Sequence, residues 1–220
     1  LSHLRLPVPL GGSTLFFRRE VLEEIGGWDA HNVTEDADLG IRLIRHGYRT
    51  ELIRTVTREE ANCHPAAWVR QRSRWIKGYM MTWRVHMRRP RQLWRDLGPM
   101  GFIAFNMLFL GSVGQAAMFP VFVLLWGVSL GLADPLPHGL PDWSGTIMIG
   151  LGLLSEAVRL TLAVIGLRDR SQRSPAALVL LPHLVQPLAS LAAYRAFWEL
   201  LRRPFHWDKT QHGRPEADVT

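Results

Sequence analysis

Two clusters of side chains in the first half of the chain have the composition of a reactive site. The first lies in Thr34-Glu35-Asp36-Ala37-Asp38, where three carboxylates occupy four consecutive positions. Acidic residues at a helix N-terminus are often structural, because they interact favourably with the positive end of the helix dipole. Three that are crowded together also repel, which raises the pKa of the most buried carboxyl group and prepares it to accept a proton. The cluster therefore indicates either a charged helix cap or a general base.

The second cluster is Gln71-Arg72-Ser73-Arg74-Trp75. In a helix, Gln71, Arg74 and Trp75 share one face, and Trp68 lies one turn earlier on that face. Such a face can hold a diphosphate through arginine while an aromatic ring packs on a sugar. An amphipathic helix at a membrane surface, with Trp in the interface and Arg on lipid headgroups, has the same pattern. The spacing alone leaves both interpretations open.

The clusters lie in a segment predicted to alternate helices and strands, which indicates an α/β domain. Thr34 is expected to be the N-cap of the second helix, and Gly26-Gly27 and Gly47 are helix stop signals. The predicted elements are a strand at 14–17, helices at 18–25 and 35–46, a strand at 48–53 and a long helix at 65–87.

The composition excludes several classes of protein. The 220 residues include 26 basic and 19 acidic residues, a net charge of +7, 47% hydrophobic residues and one cysteine. These values exclude a disordered chain, a collagen and a disulfide scaffold. Residues 61–95 contain nine basic residues and no acidic one, so this segment is expected to attract phosphates or anionic lipid headgroups. Nucleic acid is disfavoured as a partner, because an uncharged apolar stretch follows directly at 101–133.

The apolar second half predicts a membrane region at 98–201. A perpendicular span needs about 20 apolar residues. We predict two spans, at 112–133 and 145–167, with a helix kink or break at Pro120, and a re-entrant or third spanning segment at 176–201. Arginine-rich flanks place residues 1–97 and the tail at 202–220 in the cytoplasm, on a multi-pass protein of the plasma (inner) membrane.

Together the motifs resemble the C-terminal half of the catalytic domain of membrane-embedded family 2 glycosyltransferases, which include cellulose synthases and related bacterial β-glycan synthases. The resemblance implies a GT-A fold and an inverting transfer of a sugar from a nucleotide-sugar, such as a UDP-sugar, to a glycan or other hydroxyl acceptor. It rests on Gly11-Gly12-Ser13, Gly26-Gly27-Trp28-Asp29, Thr34 to Gly40 and Gln71 to Trp75, in this order.

The resemblance implies a role for each matching residue. Asp36 matches the general base, which takes the proton from the acceptor hydroxyl as that oxygen attacks the anomeric carbon. Gln71 and Arg74 match groups that hold the donor diphosphate, and Trp75 matches the floor under the acceptor sugar. The residues expected to bind donor or acceptor are Gly12, Ser13, Glu35, Gln71, Arg72, Arg74 and Trp75.

The family also uses a divalent cation, Mg²⁺ or Mn²⁺. Its metal-binding carboxylates and uridine-binding strands precede the matching segment, so the resemblance implies no metal ligands in these residues. The chain begins at Leu1 without an initiator methionine. We therefore expect it to be a piece of a longer enzyme, and we expect the isolated 220 residues to be inactive.

The C-terminal tail contains a weaker resemblance. His206 to Gly213 is similar to the FxVTxK gating loop of cellulose synthases, with Trp207, Thr210 and His212 at matching positions. A solvated tail that follows an interfacial helix is the alternative interpretation of this segment.

A second hypothesis belongs to another class of protein. A non-catalytic membrane protein that binds anionic lipid or a partner through its basic helix would also carry the charge run at 61–95. The two hypotheses differ in whether the Asp36 carboxylate is needed for activity.

Overall fold

The computed structural model of the chain describes residues 7, 10–11, 14–51, 53, 57, 62, 64–132, 143–167 and 181–205. These residues form seven α-helices and a π-helical segment, Met107–Gly111, between the fourth and fifth helices. The helices are α1 (Arg19–Glu24), α2 (Glu35–Arg45), α3 (Pro65–His86), α4 (Pro90–Asn106), α5 (Ser112–Ser129), α6 (Trp143–Leu167) and α7 (Leu181–Arg202).

Glycines end the first two helices as the sequence predicts. Gly26 and Gly47 have φ angles of 81° and 82°, which a residue without a Cβ adopts at little cost. The predicted start of α3 at Pro65 is also confirmed. Thr34 precedes α2 as expected, but its hydroxyl makes no capping hydrogen bond. Its backbone N–H donates to Asn32 Oδ1 at 3.1 Å. The prediction of Thr34 as the N-cap residue is therefore confirmed by position, without a side-chain bond.

The two predicted strands are not found at the described positions of 14–17 and 48–53. A strand requires a ladder of backbone hydrogen bonds to a neighbouring strand. The contact seen here is a side-chain hydrogen bond of 3.1 Å between the hydroxyls of Thr14 and Thr57. The strand predictions are therefore wrong for these residues, and the α/β GT-A fold stays a prediction.

The chain divides into two compact units, residues 1–115 with 191–220 and residues 116–190. In the first unit α2 is buried on two sides. Leu39 and Leu43 pack with Ile25 at the end of α1. Ala37 and Ile41 enter a second apolar cluster with Tyr79, Trp83, Leu93, Phe105 and Phe109. Burial on both sides fixes the first turn of α2, which carries the acidic cluster.

The helical stretch after α3 is irregular at two places. Gly98 interrupts α4 with φ 68° and ψ 172°, one residue before Pro99. Proline disfavours the helical conformation in the residue that precedes it. The π-helical segment Met107–Gly111 is the second irregularity. Of the kink or break predicted at Pro120, the break is wrong, because α5 continues through this residue. Proline removes a single backbone donor, and apolar helices of this kind tolerate that loss.

One stretch of the described residues, Pro90–Val128, is long and apolar enough to cross a membrane, by length and composition. Val121, Phe122 and Leu124 within it are exposed. Contiguous exposed apolar side chains are typical of a surface that meets lipid or another protein. In α6, Trp143–Val158 is a shorter apolar stretch. The first predicted span thus has a matching helix, and the multi-pass topology stays a prediction.

In the second unit, α5 and α6 approach closely at Gly152. A Cβ added there would lie 2.7 Å from Cε2 of Trp126. Small residues allow apolar helices to come this close. Helix α7 matches the third apolar segment predicted at 176–201, of which residues 181–201 are described.

Candidate active site

The acidic cluster occupies the first turn of α2, and its three carboxylates lie in different environments. Glu35 and Asp36 are half-buried, whereas Asp38 is only 2% exposed. Asp36 Oδ1 accepts a hydrogen bond of 2.8 Å from the backbone N–H of Ala37. Asp36 therefore combines partial exposure with a defined orientation, as a general base requires.

Asp38 is the most buried acid of the cluster. Arg42 Nε donates to its Oδ2 at 2.8 Å, and His86 Nε2 lies 3.0 Å from its Oδ1. Burial alone would raise the pKa of Asp38, but its interactions with His86 and Arg42 lower that pKa below the ordinary value. The expectation that crowding raises the pKa of the most buried acid is therefore wrong, because these two partners favour the charged form.

A close contact between Thr34 and Gly78 holds α2 against α3. A Cβ added at Gly78 would lie 2.8 Å from Thr34 Cβ and nearer still to Oγ1 and Cγ2. Thr34 Oγ1 is buried and has no hydrogen-bond partner among the described residues. Gly78 follows Arg74 by about one helical turn. The contact therefore brings the residue before the three acids next to the helix that carries the second cluster.

Charged groups of both clusters shift the pKa of the Tyr79 hydroxyl. Burial raises the pKa of its hydroxyl, and the negative charge of Asp36 raises it further. The positive charge of Arg72 acts on the same pKa in the opposite direction. Charges shift a pKa in this way from separations of several ångströms. One charged group from each cluster thus influences the ionisation of the Tyr79 hydroxyl.

Arg72 lies between two tryptophan rings of α3. Its guanidinium carbon is 5.0 Å from the ring centroid of Trp68 and 4.7 Å from that of Trp75. Burial lowers the pKa of Arg72 from its ordinary value. Trp75 remains 40% exposed, so one part of its ring is open to a ligand. We expected Trp68 beside Gln71; the contact with Arg72 was missed, although the spacing of positions 68, 72 and 75 predicts one helix face.

Gln71 and Arg74 are half-buried on α3, and Ser73 is buried. Gln71 Oε1 accepts a hydrogen bond of 3.1 Å from Asn62 Nδ2, which ties the helix to the segment before it. Arg74 also makes an interaction within the protein. The predicted site residues Gly12, Ser13, Trp207, Thr210 and His212 lie outside the described residues.

A buried lysine joins α3 to α7. Lys77 is 1% exposed, and its Nζ lies 3.4 Å from Glu199 Oε2. Arg195 Nε donates to the other oxygen of Glu199 at 2.6 Å. Sequence reasoning missed this pair, because Lys77 and Glu199 are 122 positions apart and a lysine in a basic segment is expected on the surface.

A cavity of about 450 Å³ lies among α2, α3 and α4, and Asp38, Arg45, His86 and Asp96 contribute to its lining. Arg45 Nη1 lies 3.0 Å from His86 Nδ1, and Arg45 Nε donates to Asp96 Oδ2 at 2.8 Å. These four polar side chains are thus bonded to one another. The residues predicted to bind substrate do not line this cavity.

The residues present do not fit a divalent-cation site. Across the described ranges, three or more histidine, cysteine, aspartate or glutamate residues nowhere gather as metal ligands would. Three acids line the cavity: Asp38 and Asp96 already bind arginine side chains, and Asp29 accepts a hydrogen bond from the backbone N–H of His31. No step of the chemistry is therefore assigned to a metal held by these residues.

A family model described as glycosyl transferase family group 2 matches residues 2–165. The chain is 29% identical to the beta-monoglucosyldiacylglycerol synthase of Synechocystis sp. over 134 residues, which are 59% of this chain and 27% of that protein. It is 37% identical to a UDP-forming cellulose synthase catalytic subunit of Komagataeibacter sucrofermentans over 79 residues, 34% of this chain and 10% of that one.

A probable glycosyltransferase of Bacillus subtilis is 35% identical over 68 residues, 30% of this chain and 16% of that protein. The chain thus spans about a quarter or less of the length of these relatives. No solved structure matches the chain significantly.

Proposed function

The chain belongs to glycosyl transferase family group 2, and from this premise we propose that it carries the general base and one wall of the transfer site of a membrane-associated glycosyltransferase. The acceptor hydroxyl attacks the anomeric carbon of a nucleotide-diphosphate sugar, and the bond from that carbon to the diphosphate oxygen breaks. Asp36 takes the hydroxyl proton, and the nucleoside diphosphate leaves with the electron pair. Attack opposite the leaving group inverts the anomeric configuration.

The contact of Thr34 with Gly78 is the observation that carries this proposal. It holds the acidic turn of α2 against α3, one helical turn from Arg74. A hydroxyl needs a base before it attacks, and a diphosphate needs positive charge before it leaves. The two helices in contact supply one group of each kind, and the charges of Asp36 and Arg72 both act on the Tyr79 hydroxyl.

Asp36 is the best base of the three acids. The two carboxylate oxygens of Asp38 are bound by Arg42 and His86 inside the protein, so Asp38 has no access to an acceptor. Asp36 is half-buried, and its hydrogen bond from Ala37 orients the carboxylate. Glu35 lies beside it at the start of α2, where it contributes negative charge next to the acceptor hydroxyl.

The donor and acceptor sugars are assigned to the exposed side of α3. Trp75 presents an open aromatic surface that suits the apolar face of a sugar ring. Gln71, Arg72 and Arg74 supply an amide and two guanidinium groups for the diphosphate. Trp207, Thr210 and His212 are proposed as a gating loop, and Gly12 and Ser13 as a turn near the acceptor.

The substrate classes rest on the names of the relatives. A UDP-forming cellulose synthase subunit supports a UDP-sugar donor and a glycan acceptor. A beta-monoglucosyldiacylglycerol synthase supports a lipid hydroxyl as a further acceptor. The apolar stretch Pro90–Val128 supports attachment to the plasma (inner) membrane, with the catalytic part in the cytoplasm. We assign any Mg²⁺ or Mn²⁺ ligands to residues outside this chain, and we expect the 220 residues alone to be inactive.

The test is the Asp36→Asn variant of the full-length gene product, assayed in membranes with UDP-glucose and other UDP-sugars. A β-glucan oligosaccharide and a diacylglycerol serve as acceptors. Loss of the base is expected to lower kcat by about 10²- to 10⁴-fold with unchanged UDP binding. Glu20→Gln is the matched control, because Glu20 is an exposed acid in the first turn of α1 and should keep the native rate.

The rival hypothesis makes the opposite prediction. A membrane protein that only binds anionic lipid shows no sugar transfer in the native form, and Asp36→Asn then leaves its binding to anionic vesicles unchanged. An Asp36→Asn enzyme that keeps more than a tenth of the native rate, when the native protein transfers sugar, contradicts the role of Asp36.

A further inference from the structure

His86, at the end of α3, is 3% exposed and contacts two charged side chains of α2. Its Nδ1 lies 3.0 Å from Arg45 Nη1, and its Nε2 lies 3.0 Å from Asp38 Oδ1. A guanidinium group can only donate hydrogen bonds, so Nδ1 must accept and carries no proton. Nε2 therefore bears the hydrogen and donates it to Asp38. The hydrogen-bond pattern assigns a single tautomer to this ring.

Each partner of His86 is held by a further group. Arg42 binds the second oxygen of Asp38, and its other nitrogens donate to the carbonyl oxygens of Ile25 and Gly27 at 2.9 and 2.6 Å. Asp96 of α4 holds Arg45 at 2.8 Å. The ring of His86 also packs edge-on against another α4 residue, Phe105, with the ring centroids 5.9 Å apart. The imidazole is thus fixed from α2 and from α4.

Several contacts hold α2 on α3, including Arg45 with His86 and the apolar cluster of Ala37 and Ile41 with residues of α3. Near the acidic turn, Thr34 meets Gly78 at one point, and Asp38 meets His86 at another. Asp36 lies between these two points in the sequence, and its one described hydrogen bond is to the adjacent Ala37 within the same helix. The direction of its carboxylate therefore depends on how the first turn of α2 is held. Without the bond between Asp38 and His86, that turn loses its hydrogen bond to α3 on one side of Asp36, and we expect it to shift slightly.

We propose that Asp38 and His86 are positioning residues that set the orientation of Asp36 toward the acceptor hydroxyl. This inference rests on the proposed function, because it assumes that Asp36 is the base. Neither residue needs to touch substrate. A catalytic group displaced by about 1 Å loses about 10²-fold in rate, so a small pivot of α2 is enough to lower turnover.

Two amide substitutions of His86 in the full-length protein separate its two hydrogen bonds. In His86→Gln the amide nitrogen reaches the Nε2 position and keeps the bond to Asp38. In His86→Asn the shorter amide reaches only the Nδ1 position. The contact with Arg45 is therefore kept, and the hydrogen bond to Asp38 is lost. We expect His86→Asn to lower kcat by about 10- to 100-fold with unchanged donor KM. His86→Gln is expected to stay within about threefold of the native kcat, because the bond that positions α2 remains.

The matched control is Asn106→Leu. It removes the hydrogen bond of 2.9 Å from Trp83 Nε1 to Asn106 Oδ1, which joins α3 to α4, and it leaves in place the Trp83 ring that clusters with Ala37 and Ile41 of α2. Thermal unfolding in detergent measures the stability of all three variants. A control destabilised as much as His86→Asn, yet with native kcat, shows that lost stability does not explain lost turnover.

Three results overturn the inference: native kcat in His86→Asn, an equal loss of kcat in both amide variants, or an equal loss of kcat in Asn106→Leu. A His86→Asn protein that fails to accumulate, while His86→Gln accumulates and turns over normally, supports the bond to Asp38. These outcomes differ from a failure of the proposed function. Native activity of the Asp36→Asn variant would show that failure. Native His86→Asn activity beside an inactive Asp36→Asn enzyme overturns only the positioning role.

Discussion

The side chain of Thr34 lies directly against the backbone of Gly78, where an added Cβ would come within 2.8 Å of Thr34 Cβ. Gly78→Ala is therefore expected to push α2 away from α3. Overpacking of this kind costs about 1 to 3 kcal/mol of unfolding free energy. The same displacement moves Asp36, so the transfer rate is expected to fall by about 10- to 100-fold. Thermal unfolding in detergent and initial rates of the full-length protein measure the two effects.

Gly114→Ala provides the control for this prediction. Gly114 is also helical, but nothing lies within 4 Å of a Cβ added there. Replacing a helical glycine by alanine gains about 0.5 to 1 kcal/mol. Gly114→Ala should therefore be as stable as the native protein or more so. Equal unfolding temperatures for the two variants would show that the Thr34 contact relaxes without cost.

The guanidinium of Arg72 fixes the exposed ring of Trp75 by packing between it and Trp68. Arg72→Gln keeps a polar side chain but removes the charge and the planar cation. Cation–π contacts contribute about 0.5 to 2 kcal/mol. We therefore expect the acceptor KM to rise by about 2- to 30-fold. Kinetics with varied acceptor at saturating donor measure this effect.

Arg202→Gln is the matched control, since the Arg202 guanidinium carbon lies 4.0 Å from the ring centroid of Trp198 on α7. It removes the same kind of contact from a pair to which no substrate role is assigned. The acceptor KM of Arg202→Gln should remain native. A similar rise in both variants would mean that Arg72 acts through general stability rather than through Trp75.

The lowered pKa of Asp38 predicts a pH dependence of stability. Burial opposes ionisation of this carboxyl, but its interactions with His86 and Arg42 bring the pKa below 3.8 in the folded protein. The contribution of ionised Asp38 to the free energy of unfolding is therefore fully present above the pKa that this carboxyl has in the unfolded chain. It is lost as the pH falls through the pKa of the carboxyl in the folded protein. Asp38→Asn should be less stable than native by about 1.5 to 3 kcal/mol at pH 7. That difference should narrow below about pH 4.

Acid unfolding from neutral to low pH, followed on the full-length protein in detergent, measures the difference between the two proteins. Glu23→Gln is the control, because Glu23 pairs with Arg19 through side chains that are 63% and 87% exposed. An exposed pair of this kind contributes little at any pH. A stability gap that stays constant into strong acid contradicts the ionisation of Asp38 in the folded state.

Local signals in the sequence determined the helices that carry the site. Gly26-Gly27 and Gly47 end α1 and α2 because glycine adopts positive φ without strain, and Pro65 begins α3 because its missing N–H costs nothing in a first turn. The order of the motifs also indicated the family that the match over residues 2–165 confirms. These features were predictable because each depends on residues close together in the chain.

Tertiary contacts decided which charged groups are available for chemistry. Asp36 and Asp38 are both acids of the first turn of α2, but Asp38 alone is bound by Arg42 of the same helix and by His86, which α3 brings to it. Lys77 likewise becomes buried through Glu199, which lies 122 positions away. The sequence determined what each helix is and where it ends. Which faces meet was decided by packing, because burial and charge pairing depend on neighbours that are distant in the chain.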